Sequence, residues 1–236
     1  MKSALRFLLV VIATLLVSCI DGREEYWLES DGSGRAEITY TLPAAAVQMQ
    51  GGDTELRKQI TEWIQKIPGV TSCECSLLEA NDQVTITVKT VFESALDFKQ
   101  LAEEDSGMPS AATHLMGEIR ADIRGRTFDF SRTIFASKAL PGASFLPAAS
   151  MEGRQLTYII HLPAAALESN ATRSENNGRT QIWEVPLAVA FKKPVITRFR
   201  MDVPIPWKLV TAILLLFSLV GGFVFRRYRR NRAVAR

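Results

Sequence analysis

Alternation of apolar and polar positions dominates the middle of this chain. Residues 24–28 and 35–42 read as strands, the second of them alternating, and the turn chemistry of Asp31-Gly32-Ser33-Gly34 between them predicts a β-hairpin that Pro43 ends. A second hairpin is predicted from residues 70–78 and 84–92 around Asn81-Asp82-Gln83. Val84, Ile86 and Val88 alternate there with Thr85, Thr87 and Lys89, the pattern of a sheet with one face in water. A third spans 116–123 and 127–134 through Arg124-Gly125-Arg126, and further strands are predicted over 155–162, 180–185 and 195–203. The period changes once: Leu56, Ile60, Trp63, Ile64 and Ile67 recur at helical spacing. That predicts an amphipathic helix over 53–67, with Asp53 or Thr54 as N-cap and Pro68-Gly69 as stop. A short helix over 94–102 is capped by Ser94, and residues 136–153 lack any period and read as a loop or linker. The fold class expected is α+β, mainly an antiparallel sheet of hairpins. Residues 38–46 and 158–166 each run a strand into Leu-Pro-Ala-Ala-Ala, an echo that fits either a duplicated unit or chance.

The two ends have a different character. Met1 to Arg6 is basic, residues 7–17 are an apolar run, and Ser18-Cys19 follows, the layout of a secretory signal. Eleven apolar residues fall short of the ~20 that span a bilayer as a helix. Leu16-Val17-Ser18-Cys19 resembles the lipobox of bacterial lipoproteins, in which the chain is cut before the cysteine and the cysteine sulfur takes a diacylglycerol. At the other end, residues 209–225 carry no charge, Trp207 and Lys208 precede them, and Arg226-Arg227-Tyr228-Arg229-Arg230-Asn231-Arg232 follows. Interfacial tryptophan, uncharged run and basic flank together predict a C-terminal transmembrane helix over 207–225 with a cytoplasmic tail. The expected organisation is a lipoprotein signal (1–18), an extracytoplasmic domain (19–206), that helix, and the tail (226–236). The expected site is a bacterial cytoplasmic membrane, with the domain on its outer side and the C-terminus inside.

These ends also account for the charge. The formal net charge is +3, but nine of the 28 basic residues lie in 1–18 and 207–236, where there are no acids. The domain between them therefore carries 19 basic against 25 acidic residues, a net of −6. A nucleic-acid-binding domain needs a basic stripe of its own, so that class is excluded.

Chemistry is sparse. Cys19 is assigned to the lipid, leaving Cys73 and Cys75, which sit two apart on a predicted strand and so share a face. Three readings stand in order: two small buried side chains, a strained local disulfide, and a metal pair. His114 and His161 are the only histidines, and the sequence has no Gly-x-Ser-x-Gly elbow, no His-Glu-x-x-His and no P-loop. Asp97, Asp122, Asp129 and His161 have no spacing that marks an acid–base site, and Glu103-Glu104-Asp105 reads as a solvated loop. No catalytic residue, metal ligand or cofactor is expected.

Near the lipobox come Glu25-Tyr26-Trp27-Leu28 and Asp31-Gly32-Ser33-Gly34. Near the C-terminal helix come Leu162-Pro163, Ser169-Asn170-Ala171 and Gly178-Arg179-Thr180-Gln181-Ile182-Trp183. This arrangement resembles the LppM family of bacterial lipoproteins, in which a lipobox and an early Asp-Gly hairpin are followed by a late Pro…Asn…Gly-x-Thr-x-x-Trp segment and a C-terminal helix. Ala164 stands where that family commonly has Gly, and residues 47–154 carry none of the resemblance. The resemblance implies an α/β envelope domain, with binding of phospholipid-type glycolipids in its mycobacterial member, and assigns a role to Cys19 alone. The function expected is a membrane-tethered, non-catalytic binding module whose ligand is lipid or glycolipid. An envelope assembly component with a protein partner is the alternative, and an unrecognised hydrolase the second alternative. An enclosed apolar pocket would favour the first, an exposed apolar patch the second, and convergent polar groups in a cleft the third.

Overall fold

The computed structural model describes residues 21–95, 114, 116–139 and 151–203. Cys19, the predicted 207–225 helix, the helix over 94–102 beyond residue 95, and the acidic run at 103–105 all lie outside these residues. Among the described residues, no helix is long and apolar enough to cross a membrane. The chain divides into two units, Met1–Val203 and Pro204–Arg236, and only the first holds described residues.

The described unit is strand-rich α+β. Its elements are β1 (Asp21–Leu28), β2 (Gly34–Pro43), α1 (Ala44–Met49), α2 (Gly52–Gln65), β3 (Val70–Ala80), β4 (Gln83–Phe92), β5 (Glu118–Arg124) and β6 (Thr127–Ile134). They continue with α3 (Ala136–Ala139), β7 (Gln155–His161), β8 (Ala166–Ser169), β9 (Arg173–Glu175), β10 (Thr180–Pro186), α4 (Leu187–Ala190) and β11 (Val195–Asp202). Seven strands form one sheet in the order β3-β4-β2-β1-β7-β10-β9, and four form a second in the order β5-β6-β11-β8.

The predicted hairpins form as pairs β1–β2, β3–β4 and β5–β6, all antiparallel. Asn81 and Asp82 take φ of 53° and 59° in the β3–β4 turn, a backbone that Asn and Asp tolerate better than other side-chain-bearing residues. The seven-stranded sheet is nonetheless mixed, not a simple run of hairpins, because β1 pairs in parallel with β7. A parallel neighbour needs a long crossover, and the chain from β2 to β7 supplies it with α1, α2, the β3–β4 hairpin and half of the second sheet. The Leu-Pro-Ala-Ala-Ala echo flanks β1 on both sides. Ile38 and Tyr158 are both register partners of Glu24, but their strands run in opposite directions, so the copies exit at opposite ends of the sheet.

Register places one residue set on the inner face of the large sheet. It holds Leu77, Ile86, Val88, Ile38, Glu24, Tyr158 and Trp183 from successive strands. Two covers share that face. Over β3, β4 and β2 lies α2, with Val47 of α1 and Ile64 buried against Val84, Ile86 and Val88. Over β1, β7 and β10 lies the small sheet, with Phe128, Ile134, Phe199 and Met201 buried against Leu156, Tyr158 and Trp183. At β4 the outer face carries Thr85, Thr87 and Lys89, as the alternation predicts, while Ile159 of β7 and Ile182 of β10 are buried on that same face.

The amphipathic helix starts one residue before its predicted first residue and ends two short. Neither Asp53 nor Thr54 caps it: Gly51, at φ 95°, is the N-cap, with no side-chain bond. Two consecutive glycines turn the chain sharply out of α1, which leaves Asp53 and Glu55 in the first turn, where the helix dipole favours acids. A further glycine fixes the start of β5. Gly117 has φ 70°, and a Cβ there would collide with the Thr133 carbonyl oxygen. The short helices α1 and α4 and strands β8 and β9 have no periodic signature in the sequence, being too brief to show one.

Candidate functional site

A cavity of about 90 Å³ lies between α2, the small sheet and the inner face of the large one. Trp63 and Ile64 of α2, with Ile67 just beyond its end, form one wall, and Ile119, Phe128, Phe130 and Phe199 of the small sheet form the other. Leu28, Ala36, Ile38 and Phe92 floor it from the large sheet. The seam between the two covers creates it: a helix and a sheet laid side by side on a third surface do not close against each other along their shared edge.

Five residues that carry polar side-chain atoms, Tyr26, Thr90, Arg132, Tyr158 and Thr197, complete the lining of this apolar cavity. Behind them Glu24 and Arg132 form a buried ion pair, with Arg132 Nη1 2.6 Å and Nη2 3.3 Å from the two carboxylate oxygens. Glu24 belongs to β1 and Arg132 to β6, so the pair ties the two sheets together. Arg132 Nε also donates to the Met116 carbonyl at 2.7 Å. Tyr26 and Tyr40 each donate a hydroxyl to Glu24 at 2.6 Å. Gly22 leaves room for that: a Cβ there would stand 2.5 Å from the Tyr40 ring. Burial pushes the Glu24 carboxyl up, but the Arg132 charge and the bonds from Arg132, Tyr26 and Tyr40 outweigh it and hold it below its ordinary value of 4.5. Burial and the nearby carboxylate push the Tyr26, Tyr40 and Tyr158 hydroxyls up, so all three are phenols at neutral pH.

A second cluster sits on the outer face. Arg35, Trp27, His161 and Thr180 form one cross-strand row over β2, β1, β7 and β10. The Arg35 guanidinium lies 4.3 Å over the Trp27 ring, and His161 stacks on Trp27 at 5.1 Å. His161 Nε2 is 2.7 Å from Glu25 Oε1, and Nδ1 is 3.1 Å from Thr180 Oγ1. An acid, an imidazole and a hydroxyl in series have the order of a nucleophilic triad. Thr180, however, is 4 % exposed, and Asn176 Nδ2 donates to its hydroxyl at 2.9 Å, so the row acts as a clasp across four strands. A wide polar depression of about 400 Å³ lies farther along this face, between Asp21, Arg23, Thr41 and Gln155, with no second wall to enclose a ligand.

The residues singled out in the sequence are not brought together. Asp122 and Asp129 face each other across β5–β6, and Asp129 pairs with Arg200, all on the small sheet. His161 is on the large sheet and Asp97 is outside the described residues. Among the described residues no group of His, Cys, Asp and Glu could hold a metal ion. Cys73 and Cys75 share the inner face of the edge strand β3 as half-buried free thiols. Burial raises both pKa values, with Cys75 adding to the effect on Cys73 and Arg57 opposing it at Cys75. The late motif is structural. Asn170 Oδ1 accepts from Trp183 Nε1 at 2.8 Å and from Arg198 N at 2.7 Å, while its Nδ2 donates to the Ile196 carbonyl at 2.8 Å. Gly178, at φ 83°, forms the turn into β10.

Glu24 and Arg132 escaped the sequence reading. The single signal for Glu24 is an acid at an inward position of an alternating strand, and for Arg132 a base at the inward position between Phe130 and Ile134. Each reads as a lapse of pattern until the other is seen.

Fold and site together define a strand-rich α+β domain with an apolar cavity and a buried Glu24–Arg132 ion pair beside it. No family model matches the sequence, and no curated protein matches it. Among solved structures, the fold is similar to the folded domain of LppM from Mycobacterium tuberculosis, determined by NMR. The identity is 13 % and the TM-score 0.50, over 79 % of this chain and 91 % of that one. The fold is therefore LppM-like, as the resemblance at the two ends of the domain implied.

Proposed function

We propose that this protein is a non-catalytic envelope lipoprotein, tethered to a bacterial cytoplasmic membrane, whose outer domain binds a lipid or glycolipid by its apolar part. The observation that carries this reading is the cavity between α2 and the small sheet, walled by aliphatic and aromatic side chains. An LppM-like fold and a lipobox at residues 16–19 support the envelope assignment. The ionisable groups near the cavity support a non-catalytic role, because Glu24 and Arg132 are spent on each other and on neighbouring hydroxyls and carbonyls. At about 90 Å³ the cavity is smaller than the ~150 Å³ that accommodates benzene in an engineered protein, so it takes one end of a ligand.

The test is mass spectrometry of lipids retained by the full chain after mild detergent purification, alongside Ala36→Leu. Ala36 lines the cavity and is 3 % exposed, so a larger side chain there fills the space at a cost of about 1–3 kcal/mol of strain. A retained lipid whose amount falls in the folded variant is the expected outcome. Equal retention in both proteins, or none in either, would overturn the reading.

A further inference from the structure

The small sheet leaves apolar side chains in water at the end where the chain departs from the domain. Its last apolar row runs Ile123, Phe128, Met201 and Ala166 across β5, β6, β11 and β8. Phe128 and Met201 are buried, but Ile123 is 53 % exposed. The β8–β11 register shifts between Arg200 and Met201, which makes Leu167 the extra residue at that point, and it is 57 % exposed. The row is therefore covered in its middle and bare at both edges. Three exposed arginines stand at the same end. Arg124 and Arg126 flank the tip of the β5–β6 hairpin, and Arg179 follows Gly178, whose carbonyl accepts from Ala166 N at 2.9 Å. Arg124 lies 3.7 Å from Asp122, and among the described residues Arg126 and Arg179 have no ion-pair partner. The acids beside them in β5 and β11 are Asp122 and Asp202, so this end is locally basic on a domain of net charge −6.

We propose that this end of the small sheet rests on a phospholipid surface, with Ile123 and Leu167 entering the boundary between headgroups and acyl chains and the three arginines taking lipid phosphates. The inference rests on the reading of residues 207–225 as a membrane helix and adds which surface of the domain meets the bilayer. The length of chain selects this occupant. Val203 N donates to the Arg126 carbonyl at 2.7 Å, so the departing chain is fastened to the hairpin tip. Pro204-Ile205-Pro206 alone separates Val203 from Trp207, which limits that distance to about 14 Å. Two apolar side chains ringed by guanidinium groups match the layering of a lipid interface, apolar below and phosphate above. Asp21 starts β1 at the opposite end of the large sheet, about 23 Å along the strand, so a lipid on Cys19 would incline the strands to the bilayer rather than stand them upright.

The experiment reconstitutes the full chain in nanodiscs of phosphatidylcholine and phosphatidylglycerol that contain a phospholipid with a photoactivatable diazirine on its acyl chain. Adducts are mapped by mass spectrometry in wild type, in Ile123→Asp with Leu167→Asp, and in Arg126→Gln. All three side chains are exposed, so melting temperatures are expected to stay level. In the wild type, adducts should appear on 119–128 and 164–170 as well as on 207–225. The double variant should lose the first two sets and keep the third. Arg126→Gln should lower labelling of 119–128 by about 5-fold, the worth of one arginine near an anionic surface. Labelling of 207–225 with none on the two sheet segments would overturn the docking and leave the tether standing. Sheet labelling that is equal in wild type and double variant would overturn the entry of Ile123 and Leu167. A wild-type dimer that the double variant abolishes would assign this end to a second copy of the chain and overturn the proposal. Absence of label from 207–225 would remove the tether reading itself, and the docking with it.

Discussion

Glu24 and Arg132 are each costly to bury and are kept by mutual compensation. Removing one partner strands the other, which is the expensive move, whereas replacing both with apolar groups of similar size is often tolerated. Arg132→Met is therefore expected to destabilise the protein by about 3–5 kcal/mol, and Glu24→Gln with Arg132→Met to recover much of that loss, as measured by urea denaturation. The carboxyl also sets an acid limit. Its pKa in the folded protein lies below the ordinary 4.5, so its contribution is fully present above that value and is lost as pH falls through the folded one. The unfolding free energy of the wild type should decline below about pH 4.5 more steeply than that of the double variant. At the same scale the sequence reading placed Tyr26, Trp27 and His161 on strands but assigned them no partners. Cross-strand contacts such as His161 with Glu25 join residues 136 apart, and no local pattern encodes them.

Among the elements, α2 and the three hairpins were legible because each is long enough to show its period and each is bounded by Gly, Pro, Asn or Asp. The segment from β8 to β9 was not. It is short and polar, and it owes its shape to Asn170, which ties the start of the β8–β9 connection to β11 and to the indole of Trp183 in β10. Asn170→Ala would leave the Trp183 N–H without an acceptor in a residue only 3 % exposed. A loss of about 2–4 kcal/mol is expected, visible as a lower urea midpoint, with Asn170→Asp costing less because both acceptor bonds survive. The N-terminus of α2 was misread for a related reason. A capping side chain is a local signal, but Gly51 leads into the helix because α1 ends immediately before it, and α1 has too few residues to announce itself.

For the whole molecule, we propose that the lipid on Cys19 and the 207–225 helix hold the ends of the domain to one membrane. Cys19→Ala is expected to abolish both lipid labelling and signal cleavage, and a reporter fused after Arg236 should be active in the cytoplasm alone. Persistent labelling in the variant, or reporter activity outside, would count against this arrangement. What the sequence by itself determined is whatever depends on neighbours along the chain: the alternation that makes strands, the single helical stripe, the turns, the acidic balance of the domain, and the lipobox-like start. The tertiary structure alone decided the parallel pairing of β1 with β7, the seam between α2 and the small sheet, and the meeting of Glu24 with Arg132 across 108 positions. The physical reason is that a strand's alternation states which face is buried but not which strand lies beside it. A cavity is moreover a property of how two covers fail to meet, and no single element carries it.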